Sequence, residues 1–242
     1  MPFFYLLSML PLLSIFSLTV AAPTCTSRST SARCTRSTAC HDYVLVSTRG
    51  TDEPQGPSFA SGGLVSHTLA NIPGGVEYDV AYPAIYDADS PISGMSALKT
   101  YLRDSIEACP EQNYVLLGYS QGAYVTSLAL QKHNQTDDPL FQAIKAVVLF
   151  GNPVHQPNRV GNVDEKGGNT TYGARGTILS PFTPSVPDSF ATTGKLLDVC
   201  ISGDFVCDFL SPAKNVHGAY GATKTAQEIG WQHIAQQLSA QA

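Results

Sequence analysis

Tyr114-Val115-Leu116-Leu117-Gly118-Tyr119-Ser120-Gln121-Gly122 is the stretch on which the fold turns. Its apolar start reads as a strand buried on both faces, and it runs without a spacer into the pattern G-x-S-x-G. Residues 123–132 then read as a helix. Strand, tight bend and helix in immediate succession lift a serine hydroxyl clear of the sheet. The glycines keep side chains away from the strained bend, and the helix N-terminus turns its positive end toward an incoming oxyanion. Ser120 is therefore the candidate nucleophile.

Outward from this motif, apolar runs at residues 43–48, 78–82, 146–150 and 196–199 read as four more strands. Pro83 stops the second of these, and Gly151-Asn152-Pro153 stops the run that ends at Phe150. Helices are expected at residues 64–70, 94–108 and 223–241. In the middle one Ser93 serves as cap, and Met95, Leu98, Leu102 and Ile106 recur at helical spacing. The last one turns Ile229, Ile234 and Leu238 inward. Residues 154–193, rich in Gly, Pro, Asn and Thr, read as a surface excursion. Strands alternating with helices predict a three-layer sandwich of the α/β-hydrolase kind, with a central five-stranded parallel sheet. In such sheets, sites gather at the carboxyl ends of the strands, where Ser120 and Thr51 fall.

Only 14% of the 242 residues are charged and the net charge is −5. That excludes a basic face for nucleic acid and a polybasic membrane patch. Residues 1–22 are apolar, end in the small residues Val20 and Ala22, and read as a secretory signal peptide. No later run reaches the roughly 18 apolar residues of a membrane span. Residues 23–39 form an N-terminal arm, and residues 40–242 one α/β domain. An extracellular protein is expected, and an uncovered site fits a monomer.

The six cysteines of an exported chain are expected to pair, in any of fifteen ways. Cys200 and Cys207 are near enough to clip a small loop. A long-range staple from Cys40 to Cys109 leaves Cys25 and Cys34 to tie down the arm. No C-x-x-C pair or H-E-x-x-H motif points to zinc, and no cofactor is needed. Asn134-Gln135-Thr136 and Asn169-Thr170-Thr171 are glycosylation triplets on expected loops.

A serine needs a base to take its proton, and the base needs a carboxylate to orient it. Chain order in this architecture is serine, acid, histidine. Of the late histidines, His155 comes too early and His233 lies within the terminal helix. His217, in a loop beyond the fifth strand, is the expected base. For the acid, Asp198 reads as a strand residue and Asp208 lies just outside the cysteine-bracketed loop. Asp204 lies inside it and is favoured, with Asp208 as the alternative. The oxyanion requires two donors. The N–H of Gln121 supplies one, and Thr51, in the loop after the first strand, is the candidate for the other.

On these residues the chain resembles the cutinase family of secreted serine esterases. The resemblance runs from about Cys40 to the C-terminus. It rests on Thr48-Arg49-Gly50-Thr51-Asp52-Glu53-Pro54-Gln55-Gly56, the serine motif, Cys200-Ile201-Ser202-Gly203-Asp204-Phe205-Val206-Cys207 and His217-Gly218-Ala219-Tyr220. Within the family the chain is most similar to cutinase-like enzymes of yeast-type fungi, on the arginine-led motif and on Leu197-Asp198-Val199-Cys200. The resemblance implies an α/β-hydrolase without a large lid, a triad of Ser120, Asp204 and His217, and an oxyanion hole of Thr51 and Gln121. It also implies the Cys40–Cys109 and Cys200–Cys207 pairings. Acetylxylan esterases carry a similar serine motif, so the motif alone does not fix the substrate.

Ile85 and Tyr86 beside Pro83, with Phe205, Phe209, Leu210 and Val216 around the acid and base, are expected to form an apolar rim. Burying methylenes there is worth about 0.8 kcal/mol each and favours aliphatic esters over acetylated sugars. The expected substrates are hydrophobic esters, cutin and similar polyesters among them.

Overall fold

The computed structural model describes residues 40–212 and 215–240. The expected signal peptide, the N-terminal arm and the Cys25–Cys34 pair lie outside the described residues.

Mostly apolar runs make strands β1 (Tyr43–Thr48), β3 (Asn113–Tyr119), β4 (Ile144–Phe150) and β6 (Leu196–Val199). β2 (Gly75–Asp79) and β5 (Asn162–Val163) lie at the two edges. The sheet has six strands in the order β2-β1-β3-β4-β6-β5, every pairing parallel. The five-strand expectation is thus corrected by one. β5 comprises only two residues and has no apolar run of its own; it forms because β6 has a free edge, against which Asn162 and Val163 pair with Asp198 and Val199.

The second strand also sits earlier than its apolar run suggested. Beyond Asp79 the Arg49 guanidinium takes the carbonyls of Val80, Tyr82 and Pro83 at 3.3, 2.5 and 3.3 Å. Those groups are lost to the ladder, so the chain leaves the sheet there.

Side chains alternate across the sheet with period two. Val44, Val46, Tyr114, Leu116, Val147 and Leu149 face one side, against Leu98 and Leu102 of α2 (Ser90–Ala108) and Val125 and Ala129 of α3 (Gln121–Leu130). Two short helices, α4 (Pro139–Ala143) and α5 (Asp188–Thr192), cover the rest of that side through Phe141 and Phe190. Leu45, Val115, Leu117, Val148 and Phe150 face the other, against Leu64 of α1 (Gly62–Asn71) and Ile234 of α6 (Lys224–Ser239). Each fully buried leucine contributes about 1.5–3 kcal/mol, enough to hold three layers without bound groups.

Helix α2 begins a turn before the expected Ser93 cap. Pro91 fits a first turn because it has no N–H to satisfy, and Asp87 Oδ1 accepts the Ser90 N–H at 2.6 Å. Cys40–Cys109 staples the entry to β1 to the end of α2, and Cys200–Cys207 closes the loop after β6. Asn134 and Asn169 are exposed. Among the described residues no helix is long and apolar enough to cross a membrane.

Candidate active site

Ser120 stands between β3 and α3 with φ 53° and ψ −118°, a region that favours glycine. The bend holds because neighbouring groups crowd around it. Ser120 N–H donates to Phe150 O at 2.9 Å, and the Ser120 carbonyl accepts from Ala123 and Tyr124 as the helix starts. A Cβ at Gly122 would come within 1.9 Å of the Thr48 carbonyl oxygen, so the third residue of G-x-S-x-G has to be glycine for α3 to abut β1.

His217 opens a short 3-10 helix, His217–Ala222. Its Nε2 lies 2.8 Å from Ser120 Oγ, and its Nδ1 lies 3.0 and 2.9 Å from the two carboxylate oxygens of Asp204. A carboxylate against Nδ1 places the proton on that nitrogen and leaves the Nε2 lone pair facing the serine hydroxyl. Asp204 is 1% exposed, yet its carboxylate is well supplied with donors. Val206 N–H reaches Oδ1 at 2.9 Å and the Tyr220 hydroxyl reaches Oδ2 at 2.6 Å. Asp208, the alternative acid, has its N–H on the Asp204 carbonyl and makes no hydrogen bond to His217.

The imidazole is also held from behind. Tyr119 stacks on it at 5.1 Å between centroids and donates its hydroxyl to the His217 carbonyl at 3.0 Å. Gly151, at φ +57°, leaves room for the ring, since a Cβ there would lie 2.8 Å from His217 Cε1. Burial pushes the Tyr119 phenol upward, with Glu53 and Asp204 adding to it. Burial also pushes the Tyr220 phenol upward, again reinforced by Asp204. Both therefore stay neutral donors.

Thr51 follows β1, whose last residue, Thr48, pairs with Gly118; the Thr51 loop therefore leaves the sheet beside the serine motif. Its backbone is braced by buried charge. Glu53 accepts the N–H of Phe59 at 2.7 Å, the hydroxyl of Ser58 at 3.0 Å and the N–H of Gly50. Arg49 donates to the carbonyl of Glu53 and to Gln55 Oε1, each at 2.8 Å. The Gln121 side chain is engaged with Ser90 Oγ at 3.0 Å and the Ile85 carbonyl at 2.9 Å. Among the described residues nothing claims the N–H of Gln121 or the N–H and hydroxyl of Thr51.

Tyr86 is 93% exposed and Leu210 80%, with Ile85, Phe205 and Phe209 also open and the two phenylalanine rings 5.2 Å apart. Val216 departs from expectation: it is half-buried against the core beside α6 because it anchors the turn into the 3-10 helix. Two further apolar side chains escaped sequence reasoning, Ile178 and Phe182, the latter 94% exposed. Their loop is tied beside the Phe205–Phe209 turn, with Thr177 N–H on Val206 O at 2.9 Å and Phe209 N–H on Arg175 O at 2.7 Å. Tyr119, Tyr220, Arg49 and Glu53 were also missed as parts of the site. All four lie within the quoted motifs, but their roles there depend on contacts with other segments of the chain.

A family model described as Cutinase matches residues 39–238. Among relatives, a "Cutinase" of Kineococcus radiotolerans is 31% identical over 163 residues, 64% of this chain and 54% of its own length. The chain thus spans about half the length of that relative. Among solved structures, a cutinase-like protein from Cryptococcus sp. superposes with a TM-score of 0.76 and 36% identity, over 83% of this chain and 96% of that one. The catalytic core domain of an acetyl xylan esterase from Trichoderma reesei shares the fold, with a TM-score of 0.65 and 23% identity, over 84% of this chain and all of that one.

Proposed function

This chain belongs to the cutinase family, and we propose that it is a carboxylic ester hydrolase in which Ser120, His217 and Asp204 form the catalytic triad. The carrying observation is the single imidazole that reaches the serine hydroxyl with one nitrogen and a buried carboxylate with the other.

Ser120 Oγ attacks the ester carbonyl carbon while His217 Nε2 takes its proton. Asp204 keeps the imidazole in the required tautomer and balances the imidazolium. The oxyanion is bound by the N–H of Gln121 and by Thr51, neither of which has a partner for these groups among the described residues. His217 returns the proton to the departing alkoxide as the C–O bond breaks, leaving an acyl-serine. Water adds to that ester, its proton passes to Nε2 and then to Ser120, and the carboxylic acid departs. No cofactor takes part.

The exposed apolar side chains around the site support hydrophobic esters as substrates, including aliphatic polyesters such as cutin. Each methylene seated on such a rim is worth about 0.8 kcal/mol, so two give roughly a tenfold preference. Extracellular action is supported by the apolar segment at residues 1–22 and by two disulfides.

Hydrolysis of p-nitrophenyl esters of rising chain length, set against release of acetate from acetylated xylan, tests both claims. Rates should rise from acetyl to butyrate or beyond, and Ser120→Ala should abolish them in a protein that still folds. A marked preference for the acetylated sugar would replace the polyester reading with a carbohydrate deacetylase. Activity retained by Ser120→Ala would remove the triad.

A further inference from the structure

The Asp204 carboxylate is the most crowded acceptor in the site. His217 Nδ1 spans its two oxygens, Val206 N–H holds Oδ1, and the Tyr220 hydroxyl holds Oδ2 at 2.6 Å, the shortest contact of the group. The direction of that last bond follows from the other partner of the phenol. Ile201 N–H donates to the Tyr220 oxygen at 3.1 Å, so the hydroxyl proton is free to point at the carboxylate. Among the described residues the Cys207 sulfur at 3.4 Å is the only competing acceptor, and a weak one.

Local geometry explains why base and phenol meet at one carboxylate. In a 3-10 helix, residues three apart lie above one another on the same side. His217 and Tyr220 are spaced in this way, so a single short turn aims both at Asp204. Tyr220 is fully buried, and its ring packs against Phe150 and Tyr119 at 5.5 and 5.9 Å. The hydroxyl therefore has little freedom to leave its acceptor.

We propose that Tyr220 is a positioning residue for the triad: its hydroxyl fixes the rotamer of the Asp204 carboxylate and draws off part of its basicity, and so sets how strongly His217 holds a proton during turnover. This rests on the triad reading given above. A carboxylate relieved of one donor binds the facing imidazolium more tightly, and a carboxylate free to rotate presents it less well. Loss of the hydroxyl thus moves the acidic limb of the rate profile to higher pH and slows the chemistry. Other charged or titratable groups near this assembly are Asp198 of β6 with His155 beside it at 3.0 Å, Glu165, whose carboxylate accepts the Ser202 N–H at 3.0 Å, Asp208 beyond the disulfide and Glu53 of the loop after β1. None of them is changed by removing one phenolic oxygen.

The test measures kcat, KM and the pH profile of kcat/KM on p-nitrophenyl butyrate. Three variants are compared with the parent: Tyr220→Phe, Ser120→Ala, and a protein carrying 2,3-difluorotyrosine at position 220, a stronger donor of nearly the same shape. Tyr220→Phe should lower kcat about tenfold with KM nearly unchanged. It should also raise the acidic limb by about half a pH unit or more. The difluorinated protein should move the limb the other way.

A folded Tyr220→Phe protein with the parent profile overturns the proposal. Should that variant fail to fold, because Ile201 N–H also loses its partner, the difluorinated protein decides, and an unmoved limb overturns the proposal again. Ser120→Ala separates the two levels. If it is inactive and the Tyr220 variants behave as the parent, only the role of Tyr220 fails; if it keeps its activity, the triad reading itself fails.

Discussion

Two histidine–aspartate pairs lie toward the same end of the sheet, and only one is equipped for chemistry. In the first, His217 Nδ1 is 2.9 Å from Asp204, and Nε2 opens onto the Ser120 hydroxyl with part of the imidazole exposed. In the second, His155 Nδ1 is 3.0 Å from Asp198, but the imidazole is wholly buried and Nε2 faces the Thr171 carbonyl at 3.3 Å. Asn152 completes that cluster by donating to Asp198 at 2.8 Å. The His155–Asp198 contact, at 3.0 Å, becomes an ion pair when the imidazole is protonated. Burial pulls His155 down, yet Asp198, with smaller help from Thr171 and Asp208, outweighs it and holds the histidine above its usual value. A histidine beside a carboxylate becomes a base only where its second nitrogen meets a nucleophile and substrate has access. Otherwise it joins segments of the fold, here the turn after β4 to β6.

The comparison can be broken first at the His217–Asp204 pair. His217→Ala should lower kcat on p-nitrophenyl butyrate about 10⁴-fold or more, with a change in melting temperature of only a few degrees. A loss below tenfold would place the proton transfer elsewhere.

The buried pair should answer in the opposite way. His155→Gln leaves the buried Asp198 carboxylate without its imidazole partner, and removing one partner of a buried pair costs about 3–5 kcal/mol. Thermal unfolding should therefore begin roughly 10 °C lower, while kcat at 25 °C stays within about threefold of the parent. The pH dependence has a definite sign. A raised histidine contributes stability that is complete below its ordinary value and is lost as pH climbs through the raised one. Titrating the melting temperature from pH 5 upward should show that decline in the parent and not in His155→Gln.

A third pair sharpens the rule at the far edge of the sheet. Glu77 and Asp79, both half-buried on β2, interact with each other, and Arg49 favours the charged form of Asp79. Burial first, and then Asp79, push Glu77 up to about 7. For an acid raised in the folded state, the favourable neutral form is complete below the unfolded value of about 4.5 and is lost as pH rises through about 7. Glu77→Gln should thus raise the melting temperature by roughly 2–4 °C at pH 8 and leave it unchanged at pH 4. Equal effects at both pH values would show that the pair is not a buried charge cost.

Much of this molecule was legible before any coordinates. β1, β3, β4 and β6 announced themselves as short, mostly apolar runs, because a strand covered on both faces leaves few positions for polar side chains, Asp198 of β6 being one. The serine motif and the cysteine-bracketed aspartate were equally plain, since each is a local pattern. The misses share a cause. β5 is made by a neighbouring edge rather than by its own residues. β2 ends where a guanidinium from another loop takes its carbonyls. The loop that carries Phe182 lies beside the turn after Cys200 only because backbone hydrogen bonds from Thr177 to Val206 and from Phe209 to Arg175 hold it there. His155 and Asp198 each looked unremarkable, and nothing along the chain revealed that they meet.

Spacing along the backbone alone determined the layered sheet, the exposed hydroxyl at its edge and the order in which acid and base follow. Local dihedral preferences and alternating burial act within a few residues, so they can be read from a string. Which carboxylate the imidazole reaches, which phenol tempers that carboxylate, and which loops flank the serine were decided only when distant segments closed over the sheet. Those contacts depend on three-dimensional return paths, and chain separation carries almost no information about them.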